Sequence, residues 1–371
     1  MTDTNARKRT VIRPKGLASS EAPPVIELKN VWKIFGDQSE LALQAVRSEG
    51  LSKKEVHERY ECVVGVQDAS FSIYEGEIFC IMGLSGSGKS TLVRHINRLV
   101  EPSAGSIRIN GVEVGALNAA GLRDLRAKQI GMVFQSMALF PHRTVRDNVA
   151  FSLELRGVKP FERQEIADRM LAIVHLTGWG DRLPTDLSGG MQQRVGLARA
   201  MAADPSILLM DEPFSALDPL IRRELQTEFM ALSRVTKKTT VFITHDLDEA
   251  IRIGTRIAIM NDGQIIQIGS PEDIVTEPAN AYVAEFVKGI SKLKLVTARS
   301  VMVPIEVWRV RHGEPSTKCL RAPIEMELDG LVDLSAETDD QIVIIDQGQI
   351  VGVVTKRSLL RGMQGHMNHA D

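Results

Sequence analysis

Apolar residues are arranged along this chain in two alternating rhythms: short continuous runs, and stretches spaced by three and four. Continuous runs occur in VIELKNVWKIFG, where Val25, Ile26, Leu28, Val31 and Ile34 are strand formers, and further on in EIFCIM, GMVF, ILLM and VFIT. The run Ile207 to Met210 is apolar at every position, as a strand buried on both faces of a parallel sheet requires. Helical spacing follows EIFCIM, at Leu92, Ile96 and Leu99, and returns in FERQEIADRMLAIVHLTG, where Ile166, Met170, Ile173 and Val174 share a face. Strands alternating with helices in this way predict an α/β fold.

Punctuating residues sharpen the boundaries. SIRINGVEV turns at Asn110-Gly111 and RIAIMNDGQIIQIG at Asp262-Gly263, both pairs that tolerate positive φ. In SPEDIV, Ser270 as N-cap and Pro271 at the first helical position start a helix. Between WKIFG and VQDASFSI lies DQSELALQAVRSEGLSKKEVHERYECVVG, where Ser52 and Glu55 have capping-box spacing, so two short helices are predicted there.

Composition adds bounds. The 371 residues are 43% hydrophobic and 25% charged, enough for one large domain and a smaller one. A formal net charge of −2 gives no general pull toward nucleic acid. Cys62, Cys80 and Cys319 make no CxxC pair, which points to a reducing compartment. No run approaches the roughly 18 apolar residues of a membrane helix, and the N-terminus lacks an apolar signal core. The opening ARKRTVIRPKG groups Arg7, Lys8, Arg9, Arg13 and Lys15 without apolar periodicity. Residues 1–24 therefore read as a solvated basic tail, with contact to anionic lipid the alternative.

Candidate chemistry begins in EIFCIMGLSGSGKSTLVRHINRLV. The GxxxxGK[ST] pattern spans Gly83, Leu84, Ser85, Gly86, Ser87, Gly88, Lys89 and Ser90, with Thr91 after it, between a strand and a helix. Its glycines free backbone N–H groups to curl around β- and γ-phosphates, and the helix N-terminus adds partial positive charge. Lys89 adds a full charge and Ser90 offers a hydroxyl to Mg²⁺. Such a loop needs a carboxylate at the end of a neighbouring strand. SILLMDEP supplies Asp211 as the metal contact and Glu212 as acceptor of a proton from the attacking water. TTVFITHD ends in His245, whose imidazole can reach the γ-phosphate, and GMVFQS ends in Gln135, which can hold the metal or the water. A second glycine loop, LSGGMQQ, opens a helix leading to the Asp211 strand. Its Ser188, Gly189 and Gly190 offer a hydroxyl, open amides and a helix N-terminus to a phosphate held elsewhere.

The order of these motifs, over about residues 25–290, resembles the nucleotide-binding domain of ABC transporters. That resemblance implies that Leu187, Ser188, Gly189, Gly190, Met191, Gln192 and Gln193 form a signature loop for the ATP of a partner subunit. It implies a Q-loop at Gln135, a switch histidine at His245, and a D-loop, SALD ending at Asp218, that crosses the dimer interface. An adenine-stacking ring is implied at Phe35, with Trp32 the alternative. Residues 136–200 would form the helical subdomain that carries the signature loop. MALFPHRTVRDNVAF within it would dock a coupling helix of a transmembrane permease, unless it packs internally.

One set of motifs without a membrane span is how importer ATPase subunits are built. The insertion at 37–65, with DEPFSALDPLIRRELQTEF and THDLDEAIRIGTRIAIM, resembles the ATPase of glycine betaine/proline importers. Past residue 290, TARSVM and QIVIIDQGQIVGVVTKRSLLRGM resemble the beginning and end of one CBS repeat, with a turn at Gln347-Gly348 and a helix carrying Leu359, Leu360 and Met363. The expected architecture is an α/β P-loop NTPase over 25–290, with a mixed RecA-like core, an antiparallel β subdomain and a helical signature subdomain. A small α+β CBS-like segment follows over 291–371, either regulatory, through nucleotide or ionic strength, or a plain dimerisation element. The resemblance further implies a homodimer holding ATP and Mg²⁺, peripheral on the cytoplasmic face of a bacterial inner membrane. It would work with permease subunits and an extracytoplasmic substrate-binding protein to import glycine betaine, choline or proline betaine. Another small polar solute, or a soluble ATPase switch without transport, are the alternatives.

Overall fold

The computed structural model of the chain describes residues 22–364 except Gly289, Lys292, Lys294, Thr317, Lys318 and Asp339. Residues 1–21 of the expected basic tail lie outside the described residues. Packing divides the chain into one unit ending at Ile268 and a second beginning at Gly269.

The first unit contains β1 (Ile26–Phe35), β2 (Val63–Ile73), β3 (Ile78–Met82), β4 (Ala104–Ile109), β5 (Val112–Glu113), β6 (Ile130–Val133), β7 (Ile207–Asp211), β8 (Thr239–Thr244), β9 (Arg256–Asn261) and β10 (Gln264–Gly269). Its helices are α1 (Ser39–Glu49), α2 (Lys53–Tyr60), α3 (Lys89–Ile96), α4 (Ala119–Lys128), α5 (Val145–Leu155), α6 (Pro160–Ile173), α7 (Gly189–Ala202), α8 (Pro219–Thr236) and α9 (Leu247–Ile253). One sheet has the order β10-β9-β3-β8-β7-β6, with β9, β3, β8, β7 and β6 parallel. Every residue of β3, β7 and β8 is buried, which accounts for their unbroken apolar runs. Met82 pairs with Thr244, and Asp211 with Ile243. These strands therefore end level, and Gly83, Glu212 and His245 leave the sheet side by side.

A second, antiparallel sheet has the order β2-β1-β4-β5. One core joins the two sheets, with Ile26, Leu28, Ile73 and Ile109 packed in the same cluster as Ile81, Leu209 and Val241. Leu92 and Ile96 of α3 enter that core, but Leu99 does not. The helix closes at Asn97, Arg98 takes a φ of 54°, and Leu99 is left 46% exposed. The hairpins turn where expected, with φ of 49° and 79° at Asn110-Gly111 and 48° and 76° at Asp262-Gly263.

The insertion folds as two helices, α1 and α2, and Ser52 and Glu55 complete the capping box. Ala42, Val46 and Val56 pack on Trp32, Ile34 and Val64. Trp32 is thus a core side chain, and the ring reading for it falls away. In α6 the buried face is Ala167 and Leu171, continued by Val174, while Ile166, Met170 and Ile173 are only half-buried. The expected apolar face is therefore turned by about one position.

The second unit contains α10 (Pro271–Thr276), α11 (Ala281–Phe286), α12 (Ala298–Val301), α13 (Ile305–His312), α14 (Leu328–Glu337) and α15 (Lys356–Gln364). Its strands β11 (Val303–Pro304), β12 (Arg321–Pro323), β13 (Ile342–Asp346) and β14 (Gln349–Val354) form a sheet in the order β11-β14-β13-β12. Ser270 caps α10 as expected, and Glu272 from its first turn accepts from Ser300 Oγ of α12. Leu328, Leu331, Ile342, Ile344 and Leu359 build a separate core, whereas Leu360 and Met363 of α15 are exposed, so the expected apolar face of that helix reduces to Leu359. Among the described residues no helix is long and apolar enough to cross a membrane.

Candidate active site

The loop after β3 is shaped by two close approaches. A Cβ at Gly83, whose φ is +152°, would lie 2.1 Å from the Met260 carbonyl, and one at Gly88, φ +98°, would lie 2.2 Å from that of Gly65. Only glycine fits either position, so the backbone folds tightly enough to turn its amides inward. Gly88 is the N-cap of α3 and offers no side chain to the first-turn N–H groups, leaving them to a ligand. Lys89 is buried, and its Nζ donates to the carbonyls of Gly83 at 2.8 Å and Leu84 at 2.9 Å. Burial lowers its pKa, opposed by the carboxylates of Glu212 and Asp211. Ser87 Oγ is buried without a hydrogen-bond partner among the described residues, an orphan that a phosphate oxygen would satisfy.

Level with this loop, Ser90 Oγ donates to Asp211 Oδ1 at 2.8 Å. Asp211 is fully buried, and burial raises its pKa against the hydrogen bond from Ser90 and the charge of Arg94. A hydroxyl and a carboxylate side by side are hard oxygen donors of the kind Mg²⁺ takes, so the pair fits that ion. Among the described residues no group of three or more His, Cys, Asp or Glu is placed to hold a metal ion. Arg94, whose Nη2 lies 3.3 Å from Asp211 Oδ2, was missed in the sequence. Its spacing of four from Ser90 on one helix was the available signal.

Glu212 takes φ +50°, rare for a residue with a side chain, and its N–H donates to the Ile243 carbonyl at 3.1 Å. That twist presents its carboxylate at the strand ends. Gln135 Nε2 donates to Glu212 Oε2 at 3.2 Å, and His245 Nδ1 lies 3.4 Å from Oε1. Ser90, Asp211, Glu212, Gln135 and His245, drawn from four separate stretches, thus meet at one edge. Phe35 is 40% exposed, and its ring lies 2.8 Å from where a Gly65 Cβ would stand. Because the Gly65 carbonyl touches Gly88, the ring borders the phosphate loop.

Ser188 caps α7, accepting the Met191 N–H at 3.4 Å, and Ser188 and Gly189 are exposed. Three other residues of the expected signature loop are engaged within the chain. Leu187 is buried; Gln192 donates to the carbonyls of Pro184 and Leu187. Gln193, 2% exposed, donates to the Glu212 carbonyl and accepts from the Ala216 N–H. Among the described residues no hydrogen bond or ion pair joins the Ser188 loop to Gly83–Thr91. Asp218 is exposed and caps α8 through the Ile221 N–H at 3.1 Å.

The family model described as "ABC transporter" matches residues 66–215. A glycine betaine transport ATP-binding protein of Bacillus subtilis (strain 168) is 52% identical over 80% of this chain and 71% of its own length. A trimethylamine N-oxide transport system ATP-binding protein of Ruegeria pomeroyi (strain ATCC 700808 / DSM 15171 / DSS-3) is 45% identical over 91% of this chain and 96% of its own. Among solved structures, a dimeric ATP-binding cassette in a post-hydrolysis state bound to ADP and Pi shares 31% identity at a TM-score of 0.58, covering 66% of this chain and 98% of that one.

Proposed function

The chain belongs to the ATP-binding proteins of ABC transporters, and from that premise we propose that it is the ATPase subunit of an importer for a quaternary ammonium osmolyte. The observation that carries the hydrolytic reading is the Glu212 carboxylate, held between Gln135 and His245 beside the Ser90–Asp211 pair. The amides of the Gly83–Thr91 loop and Lys89 bind the β- and γ-phosphates, and Phe35 stacks on the adenine. Ser90 Oγ and an Asp211 oxygen would hold Mg²⁺, which when bound would supply positive charge beside the phosphate oxygens. Glu212 takes a proton from a water as its oxygen bonds to the γ-phosphorus, the bond to the β-phosphate oxygen breaks, and ADP and phosphate leave. Gln135 orients that water and His245 steadies the γ-phosphate.

Ser188, Gly189, Gly190 and Met191 serve the ATP of a second copy, so a homodimer closes around two nucleotides and reopens after hydrolysis. That cycle drives permease subunits on the cytoplasmic face of a bacterial inner membrane, fed by an extracytoplasmic substrate-binding protein. Relatives named for glycine betaine and for trimethylamine N-oxide support a small solute with a methylated, positively charged nitrogen. The extent of the match to the second relative favours the N-oxide as the alternative cargo.

Two measurements test this. Glu212→Gln is expected to keep ATP binding, trap the dimer and lower hydrolysis by about 10²–10⁴-fold; hydrolysis at the parent rate would remove the base assignment. With its permease in vesicles, the chain is expected to hydrolyse ATP faster when glycine betaine, choline or trimethylamine N-oxide is supplied to the binding protein. Hydrolysis indifferent to all three would leave the ATPase and overturn the cargo.

A further inference from the structure

Two residues beyond Gln135 the backbone does something costly. Met137 and Ala138 both sit in the left-handed region, at φ of 46° and 49°, although neither is glycine. Consecutive residues in that conformation persist only where surroundings hold them. What holds them is Arg199, from the last turn of α7: Nη1 donates to the Ala138 carbonyl at 2.6 Å and Nη2 to the Met137 carbonyl at 2.9 Å. The guanidinium is the side chain suited to this, since its planar fork grips two acceptors at once. Its burial lowers its pKa, and among the described residues no carboxylate pairs with it. Its charge is therefore spent on two backbone dipoles of one loop.

Met137 also faces the glycine loop. Its methyl carbon lies 3.9 Å from where a Gly189 Cβ would stand, and its carbonyl 3.8 Å from that of Gly196. The loop carrying Gln135 is thus laid along α7 from the Ser188 end to Arg199. The same face of the helix, four residues on from Gly189, holds Gln193, whose amide grips the Glu212 carbonyl. Gln135, in turn, donates to the Glu212 carboxylate. Glu212, α7 and the Gln135 loop therefore form a closed ring of contacts.

We propose that Arg199 is a positioning residue for hydrolysis: by pinning the Met137 and Ala138 carbonyls to α7 it keeps Gln135 on Glu212 and makes the Gln135 loop and the Ser188 loop move as one body. This deepens the proposed function and rests on its assignment of Gln135 and Glu212. Arg199 touches neither nucleotide nor water in this scheme and acts only through the loop.

The test is steady-state ATP hydrolysis by the full-length chain. Arg199→Met is expected to lower kcat at least tenfold while the KM for ATP stays within twofold, because the phosphate loop hangs on β3 and α3. In a Gln135→Ala background the same change is expected to add less than a twofold further loss. Ala138→Gly, which relieves the left-handed residue, is expected to restore part of the rate to Arg199→Met. Should Arg199→Met not fold, Arg199→Lys keeps charge and most of the stem but grips one carbonyl, and a several-fold loss of kcat is expected. Parent-like kcat in the foldable variant, multiplicative losses with Gln135→Ala, or a Gln135→Ala protein at the parent rate would each overturn the proposal. Parent-rate hydrolysis by Glu212→Gln would instead bring down the site reading on which it rests.

Discussion

Phe35 and His95, both within reach of the Lys33 charge, show how single residues can be read. Phe35 stands open beside Gly65, with Lys33 Nζ 5.0 Å from its ring centroid. Loss of an aromatic contact of this kind costs about 0.5–1.5 kcal/mol, so Phe35→Ala should weaken ATP binding by about two- to tenfold, with little change in kcat. Equilibrium binding of a fluorescent ATP analogue checks this, and an unchanged Kd would return Phe35 to simple packing. His95 is fully buried on α3, with Nδ1 2.6 Å from the Val100 carbonyl and Nε2 unpartnered among the described residues. Burial chiefly lowers its pKa from 6.5, helped by the charge of Lys33. As pH falls below about 6.5, the unfolded chain gains a proton that folded His95 refuses, so stability drops until the lowered folded pKa is passed. His95→Asn should melt lower throughout but lose less between pH 7.5 and 5.5; equal slopes would sink the idea.

At the scale of elements, what the sequence carried and what it hid separate by mechanism. Strand ends were legible because burial on both faces forces runs such as Ile207–Met210, and a phosphate loop must follow such a strand. The insertion helices were legible from the Ser52 capping box, a local bond that needs no partner element. The Gly111 and Gly263 turns were legible because positive φ selects glycine. What stayed hidden depends on which face meets a neighbour. Leu99 fits the helical period but falls past the helix end, and α6 buries Ala167 in place of the larger residues beside it. Gln193 looked like part of a ligand loop, yet α7 rotates its amide onto the Glu212 backbone. The same reasoning makes a prediction for the β9–β10 hairpin. A Cβ at Gly263 would meet the Gly65 carbonyl at 2.9 Å, at φ +76°, and the Gly263 N–H donates to Ser87 at 2.9 Å. Gly263→Ala should therefore disturb the phosphate loop and raise the KM for ATP, whereas Gly111→Ala, equally strained at φ +79° but facing open space, should cost stability alone. Thermal melts and ATP kinetics on the two variants decide it, and an unchanged KM for Gly263→Ala would refute the link.

At the scale of the ATP-binding unit, a buried ion pair and the hydrogen bond beside it tie one sheet to the other. Arg256, at the start of β9, donates to Glu77 at 2.9 Å and to the Ser72 carbonyl of β2 at 3.1 Å, with both charged side chains almost wholly buried. Removing one partner of such a pair strands the other, at a cost of about 3–5 kcal/mol. Arg256→Met should show that loss in chemical denaturation, and an unchanged midpoint would mean the sheets are held by apolar packing alone. The level ends of β3, β8 and β7 carry a last consequence. Their amides are bonded on both sides within the innermost ladder, so they should be the slowest in the unit to trade hydrogen for deuterium, slower than those of α5 and α6. The groups assigned to the chemistry would then be mounted on the segments that open last, while α5 and α6 would breathe on a much shorter clock.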